Sequence, residues 1–242
     1  MTEPSFHVHS IDWNREKTGR FWNWWSMRAE RTSYFSRQAG EAVLAFVEER
    51  LALSSTRVLD YGCGTGHFTR KLLDRGARTQ AVDFSTDSVA QTRVRVGNDP
   101  CFDGAVVADG LPLPLPDAGF DVVFALEVIE HLLPADRDPT LAELARLTRL
   151  GGHVIITTPN QEDLAAGEQM CPECGCVFHR MQHVSSWSAR SLSETMLRHG
   201  FATVETRSLL FKPYARWPRV QDLIATLRGL AKPNLLYIGR RT

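Results

Sequence analysis

Three short stretches of this sequence concentrate side chains able to do chemistry. In Glu127-Val128-Ile129-Glu130-His131, two carboxylates stand three residues apart with an imidazole beside them. If a helical turn starts there, Glu127 and Glu130 share a face with His131 nearby. Such a set at the rim of a cleft suits a divalent cation. Carboxylates favour Mg²⁺ or Mn²⁺, and the imidazole tips the choice toward Mn²⁺ or another softer ion. A fourth ligand is then needed. Plainer roles use the same residues: the carboxylates cap the turn or touch a ligand edge, and His131 is a general base.

The second stretch is CPECGCVFHRMQH. Cys171, Cys174, His179 and His183 form C-x2-C-x4-H-x3-H, the inventory of a tetrahedral zinc site. Cys176 can replace either histidine, and Gly175 eases the tight turn. His183 can serve this site or the Glu-Glu-His set, but one ring nitrogen cannot serve both without sharing. The alternative is a reduced, metal-free loop. In the third stretch, VLDYGCGTGHF, an apolar run ends at Asp60 and is followed by Gly62, Gly64 and Gly66. Glycines there let the backbone turn sharply and approach a ligand. The alternating spacing is not the G-x-G-x-x-G of dinucleotide sites, which argues against NAD. Cys63, between glycines with no base beside it, reads as a small packing residue rather than a nucleophile.

The elements that must position these residues alternate. Strands are expected at Arg57–Asp60, Thr79–Asp83, Gly104–Ala108, Phe120–Leu126 and His153–Thr158, with two more at Ala202–Phe211 and Leu235–Gly239. Helices are expected at His67–Asp74, Ser85–Val96 with Ser85 as N-cap, Pro139–Leu147, and Ser188–His199 ended by Gly200. That alternation predicts a parallel sheet wrapped by helices, a doubly wound α/β domain. Residues 1–54 read as a helical, aromatic-rich cap on the 55–242 domain. This leader carries Trp13, Trp22, Trp24 and Trp25, four of the six tryptophans, and so many aromatics must pack on something. Its last helix is expected at Gly40–Leu53. Trp217, Val220, Leu223, Ile224, Leu227 and Leu230 mark one face of a further helix, read as core packing.

The glycine loop Val58–Phe68 resembles motif I of the class I S-adenosylmethionine-dependent methyltransferases. AVDFS with Asp83, VADG with Asp109, FDVVFALEVIEHL and GGHVIITTPN resemble that family's later segments, in order, over about Val58–Phe201. The resemblance implies a mostly parallel, seven-stranded Rossmann-like sheet. It also implies S-adenosylmethionine contacts from Asp60, Gly62, Cys63, Gly64, Gly66, Asp83, Phe84, Asp109, Gly110 and Leu126. Asp83 would take the ribose hydroxyls and Asp109 would meet the adenine amino group. E-x-x-E-H is also similar to the metal motif of two methyltransferase groups, one making 2′-O-methyl ends on small RNAs, the other O-methylating catechol-like rings in quinone biosynthesis. In the RNA group the fourth ligand is a His followed by Trp and a hydroxyl residue, as in His183-Val184-Ser185-Ser186-Trp187-Ser188. The resemblance therefore implies Mg²⁺ or Mn²⁺ on Glu127, Glu130, His131 and His183.

Bulk properties narrow the partners. The 242 residues carry 28 basic and 28 acidic side chains, so no global field favours nucleic acid or an acidic membrane. Locally, eight basic residues face Glu205 and Asp222 from Phe201 to Thr242, which could meet phosphate or RNA but reads more simply as a solvated surface. There is no apolar run long enough for a bilayer and no signal-peptide core, so a cytoplasmic protein with thiol or metal-ligating cysteines is expected. The expected substrate is a small molecule, sugar or natural-product hydroxyl. An RNA 2′-hydroxyl is the alternative, and a non-catalytic cofactor-binding subunit the third class.

Overall fold

A computed structural model describes residues 6–28 and 34–242. Residues 1–5 of the expected signal-free opening and 29–33 of the expected leader lie outside the described residues. Along the chain run β1 (His9–Ser10), α1 (Arg15–Ser26), α2 (Phe35–Val47), β2 (Arg57–Tyr61), α3 (His67–Leu73), β3 (Arg78–Asp83), α4 (Thr86–Val96), β4 (Phe102–Val107) and β5 (Phe120–Leu126). They continue with α5 (Pro134–Leu147), β6 (Thr148–Pro159), β7 (Glu168–Met170), β8 (Cys176–His179), α6 (Ala189–Arg198), β9 (Phe201–Leu209), α7 (Pro218–Leu227) and β10 (Asn234–Arg241). The main sheet has seven strands in the order β4-β3-β2-β5-β6-β10-β9. All its pairings are parallel except the two made by β10, which runs antiparallel to β6 and β9. This is the doubly wound α/β sheet that the alternating pattern predicts.

Strand order reverses between β2 and β5, so their C-terminal ends splay apart and leave the crevice where open α/β sheets bind ligands. The central strands β5 and β6 are apolar on both faces. Val122, Val123, Phe124 and Ala125 of β5 and Val154, Ile155 and Ile156 of β6 are all buried. Burying each larger side chain is worth about 1.5–3 kcal/mol, enough to hold the crevice rigid from below. Local signals set the helix ends: Ser85 caps α4 by accepting the Ser88 N–H, and Ser188 and Ser191 form a reciprocal capping box on α6.

Three expectations change. The 1–54 leader divides: α2 starts at Phe35 and buries Ala39, Val43, Leu44 and Val47 against Val58, Leu236 and Ile238, as a layer of the main core. It is α1 that lies over the crevice. Ser85 Oγ donates to Asn23 Oδ1 (2.7 Å), and Gln91 Nε2 donates to the Ser26 carbonyl (3.1 Å).

The apolar face at 217–230 is not core. Trp217 is 69% exposed and Leu227 78%. The helix docks instead through a polar seam. Buried Asp222 takes Lys232 Nζ (3.0 Å) and Arg207 (3.5 Å), while Arg219 reaches Glu49 (2.8 Å). Periodicity reports an amphipathic helix but not which face turns inward.

Finally, the cysteine loop belongs to a second, three-stranded sheet, β1-β8-β7, that no local pattern announces. Among the described residues, no helix is long and apolar enough to cross a membrane.

Candidate active site

β2 runs out at Tyr61, and the chain turns through Gly62, Gly64 and Gly66 at φ +81°, +53° and +80°. Glycine adopts this left-handed backbone without the Cβ penalty. The turn is tied to β3: Gly62 and Cys63 both donate to the Val82 carbonyl (2.7 and 2.9 Å), and Gly64 donates to Asp83 Oδ2 (2.8 Å). Asp83 Oδ1 takes the Ser85 N–H at 2.8 Å. Burial pushes the Asp83 carboxyl up to about 6 against those lowering N–H bonds. Each oxygen keeps a lone pair for a further donor. Asp60 turns inward, accepts the Thr69 hydroxyl at 2.6 Å, and is pushed up to about 7, first by burial and further by the Asp83 charge.

A cavity of about 880 Å³ runs from this loop to the Glu-Glu-His segment. Asp60, Gly62, Gly64, Asp83, Phe84, Gly110 and Leu126 line one end, and Glu127, His131, Glu162 and His183 the other. Three expected cofactor residues do not line it. Cys63 is buried behind the loop with Sγ 3.6 Å from Thr92 Oγ1, a packing residue as its flanking glycines suggested. Gly66 caps α3 and abuts Thr92. The Asp109 side chain is 96% exposed and pairs with Arg15 at 3.3 Å, because the chain is already turning outward after β4.

The second end is assembled from distant segments. Glu127 sits at φ +53°, unusual for a residue with a Cβ, and leads into a single 3₁₀ turn, Ile129–His131, rather than an α-helical one. Glu130 is fully buried, with Oε2 accepting the Thr158 hydroxyl at 3.0 Å. The ligand atoms of Glu130, His131 and His183 lie within 4.8 Å of one another, as do those of Glu162, His179 and His183. Thus His183 joins the Glu-Glu-His residues across 52 positions of sequence, while Glu127 stands outside both sets. His183 Nδ1 is 2.5 Å from Glu162 Oε2, and the His179 and His183 rings stack at 4.5 Å. Gly167 is required here, since a Cβ on it would lie 1.8 Å from His179 Nε2.

Among the described residues, the buried Oε1 atoms of Glu127 and Glu130 and Nε2 of His179 have no hydrogen-bond partner, Nε2 standing 3.5 Å from Glu162 Oε1. Burial and the Glu127 charge push Glu130 well up, and burial pushes Glu127 up to about 7. Burial and the neighbouring His183 push His131 down to about 3, so its ring is neutral.

This arrangement corrects the expected zinc set. His179 belongs to the carboxylate–histidine cluster. It lies three residues from Cys176 on one strand, so the two side chains point to opposite faces. Its Nδ1 accepts the backbone N–H of Met181 and His183 at 3.3 and 3.1 Å. Among the described residues, no cysteine stands in a set of three donors within 4.8 Å.

Two wall residues, Glu162 and Arg180, have no signal of their own in the sequence, and Tyr34, whose ring approaches Gly64, is marked there only as one of the leader's aromatics. Trp22 and Trp25 were flagged only as aromatics needing a surface. Trp22 packs edge-on to His131 (4.7 Å) and donates to buried Gln182 Oε1 (2.9 Å).

A glycine-turned crevice at the switch point, an acidic strand end beside it and a carboxylate–histidine wall opposite define a group-transfer enzyme with a nucleotide-bearing cofactor. The chain belongs to the methyltransferase-domain family, whose model matches residues 34–206, and is a class I S-adenosylmethionine-dependent methyltransferase. It is 32% identical over 219 residues to a malonyl-[acyl-carrier protein] O-methyltransferase of Serratia marcescens, covering 84% of this chain and 78% of the relative. A probable S-adenosylmethionine-dependent methyltransferase of Mycolicibacterium smegmatis is 33% identical over 178 residues, 74% of this chain and 63% of the relative. The fold matches the Burkholderia thailandensis 1,6-didemethyltoxoflavin-N1-methyltransferase, solved with S-adenosylhomocysteine, at a TM-score of 0.66. That pair shares 18% identity over 97% of this chain and 93% of the other.

Proposed function

We propose that this methyltransferase acts on a hydroxyl of a small molecule, sugar or natural product, with a divalent cation held by Glu127, Glu130, His131 and His183 and supported by Glu162 and His179. The observation that carries this reading is that Glu130, His131 and His183 bring ligand atoms within 4.8 Å of one another beside Glu127 at the cavity end opposite Asp83, with the Oε1 atoms of Glu127 and Glu130 buried and without a hydrogen-bond partner among the described residues. Two carboxylates, a third nearby and the His131 and His183 imidazoles make a donor set suited to Mn²⁺ or Mg²⁺, with the His179 Nε2–H turned toward Glu162, and a cation would satisfy carboxylate oxygens that otherwise cost free energy to bury. The O-methyltransferase relative supports an oxygen acceptor.

S-adenosylmethionine supplies an activated methyl group. A bound divalent ion lowers the pKa of a hydroxyl beside it and orients the oxygen. The protein's own part is alignment and exclusion of water. The Asp83 carboxylate can take a vicinal diol of the cofactor ribose, fixing that end. Trp22 and Trp25 of α1 and the 180–183 segment cover the acceptor end, favouring the aligned geometry over hydrolytic encounters. His131, with so low an affinity for protons, suits a neutral ligand better than a general base. Two adjacent substrate oxygens, as in a vicinal diol or catechol, fit such a site.

Against an RNA substrate stands the use already made of the basic C-terminal stretch. Arg207 and Lys232 hold Asp222, Arg219 holds Glu49, and Arg241 donates to the Arg146 carbonyl. The decisive experiment is methyl transfer to a panel of diols, catechols and sugars after exhaustive chelation, then with graded Mn²⁺ or Mg²⁺. Activity should vanish and return with metal, and Glu127→Gln should raise the required metal concentration tenfold or more. Chelator-resistant turnover, unchanged in Glu127→Gln, overturns the metal role.

A further inference from the structure

The three-stranded sheet brings a second set of donors to one place. β7 and β8 pair antiparallel, and one step beyond Met170↔Val177 the Cys171 N–H donates to the Cys176 carbonyl at 2.8 Å, so Cys171 lies opposite Cys176. The chain between them turns tightly. Gly175 N donates to the Cys171 carbonyl (2.9 Å), with Gly175 at φ +76°. Cys171, Cys174 and Cys176 are all free thiols, and this turn gathers them within six residues.

β1 then lays a histidine beside this turn. It pairs parallel with β8 in the register His9↔Cys176, and His9 N donates to the Gly175 carbonyl at 3.1 Å. Residues opposite each other in a sheet project from the same face, so His9, Cys176 and Cys171 share one. His9 Nδ1 lies 3.2 Å from the His7 carbonyl. A backbone bond at one ring nitrogen fixes the tautomer and leaves the other nitrogen's lone pair outward, the usual arrangement behind a metal-bound imidazole.

We infer that Cys171, Cys174, Cys176 and His9 form a structural zinc site that clamps the N-terminal strand to the loop carrying His179 and His183. Thiolate ligands select Zn²⁺ over the harder ions suited to the carboxylate cluster. The groups do not yet form a closed shell, since among the described residues the sets of three donors within 4.8 Å are the two around His183. Closing it requires the exposed His9 and Cys174 side chains to rotate, and the thiols would release their protons to solvent on binding. The clamp fixes β1, which leads directly into α1 and its cavity-lining tryptophans. The inference stands independently of any metal in the active site.

The test uses the full chain purified under reducing conditions. Elemental analysis should give one thiolate-bound zinc equivalent, and cobalt exchange should yield a sulfur-to-cobalt charge-transfer band in the near ultraviolet. Cys171→Ser and Cys174→Ser should each abolish that band. His9→Ala and Cys176→Ser should each weaken zinc at least tenfold in competition with a chromophoric chelator, while His179→Ala should retain it. Stripping zinc from the wild type should speed hydrogen exchange at the His9 and Ile11 amides, a readout that needs no variant to fold. A protein without the cobalt band, zinc affinity unchanged in His9→Ala, or the band lost in His179→Ala overturns the inference.

Discussion

The two ends of the cavity are built on opposite plans. At the cofactor end the hydrogen-bonding groups come mainly from two contiguous stretches, Asp60–Gly66 and Asp83–Ser85, and the carboxylates are already bonded: Asp83 by the Gly64 and Ser85 amides, Asp60 by the Thr69 hydroxyl. At the acceptor end, α1, the 127–131 segment, Glu162 and the 179–183 loop meet from far apart in sequence, and among the described residues the buried Oε1 atoms of Glu127 and Glu130 lack partners. The first end is preorganised and tolerates being empty. Both ends carry raised carboxyl groups, and the second adds unpartnered carboxylate oxygens that cost stability until a ligand satisfies them. One end is therefore fixed for a cofactor common to many enzymes, while the other can be reshaped by changing loops.

Asp83→Ala should break the comparison most severely. It removes charge-assisted bonds worth about 1.5–3 kcal/mol and frees the Gly64 amide, so S-adenosylhomocysteine should bind about ten- to a hundredfold more weakly by calorimetry. The same carboxyl gives a pH test. Its folded-state pKa, raised to about 6, means that the ionised form is lost as pH falls through 6, and cofactor affinity should fall with it toward tenfold per pH unit. For the ligand-free protein the sign is reversed. A carboxyl raised above its ordinary value of 3.8 binds its proton more tightly when folded, so its contribution to stability is lost as pH rises from about 4 to about 6. Asp83→Asn should flatten both dependences. Unchanged pH profiles in that variant count against the ribose role.

Glu162→Gln sharpens the other end. It should raise the Mn²⁺ concentration needed for activity about tenfold while leaving S-adenosylhomocysteine affinity within twofold, as a change confined to the acceptor end requires. Equal losses at both ends would mean that they are not separate. Trp22→Phe keeps the ring against His131 but strands Gln182 Oε1, which is buried, at a cost of about 1–3 kcal/mol. Thermal denaturation should record that loss, with the acceptor KM rising more than the cofactor Kd. The smallest effect belongs to the exposed face of α7. Leu227→Gln should change stability by no more than about 0.5 kcal/mol, whereas a core leucine would cost several times that.

By itself the sequence determined what depends on neighbours along the chain. Apolar runs fixed six of the seven main strands to within a few residues of their ends. β6 was the exception: it begins at Thr148, five residues before the expected His153. Ser85, Ser188 and Gly200 marked their helix ends, and the alternating glycines ahead of Asp83 marked the cofactor crevice. These signals are legible because helix caps, left-handed turns and strand alternation act over a few residues. Tertiary structure alone decided the rest. The addition of Glu162 and His179 to the set of Glu130, His131 and His183, the inward polar seam of α7, and the strand that sets His9 beside Cys176 all depend on pairings across ten to more than 160 residues. Neither the short strands nor those side chains carry a local pattern that selects one partner over another. Their arrangement follows from the switch point of the sheet, which draws the loops after β2, β5 and β6 together at one edge.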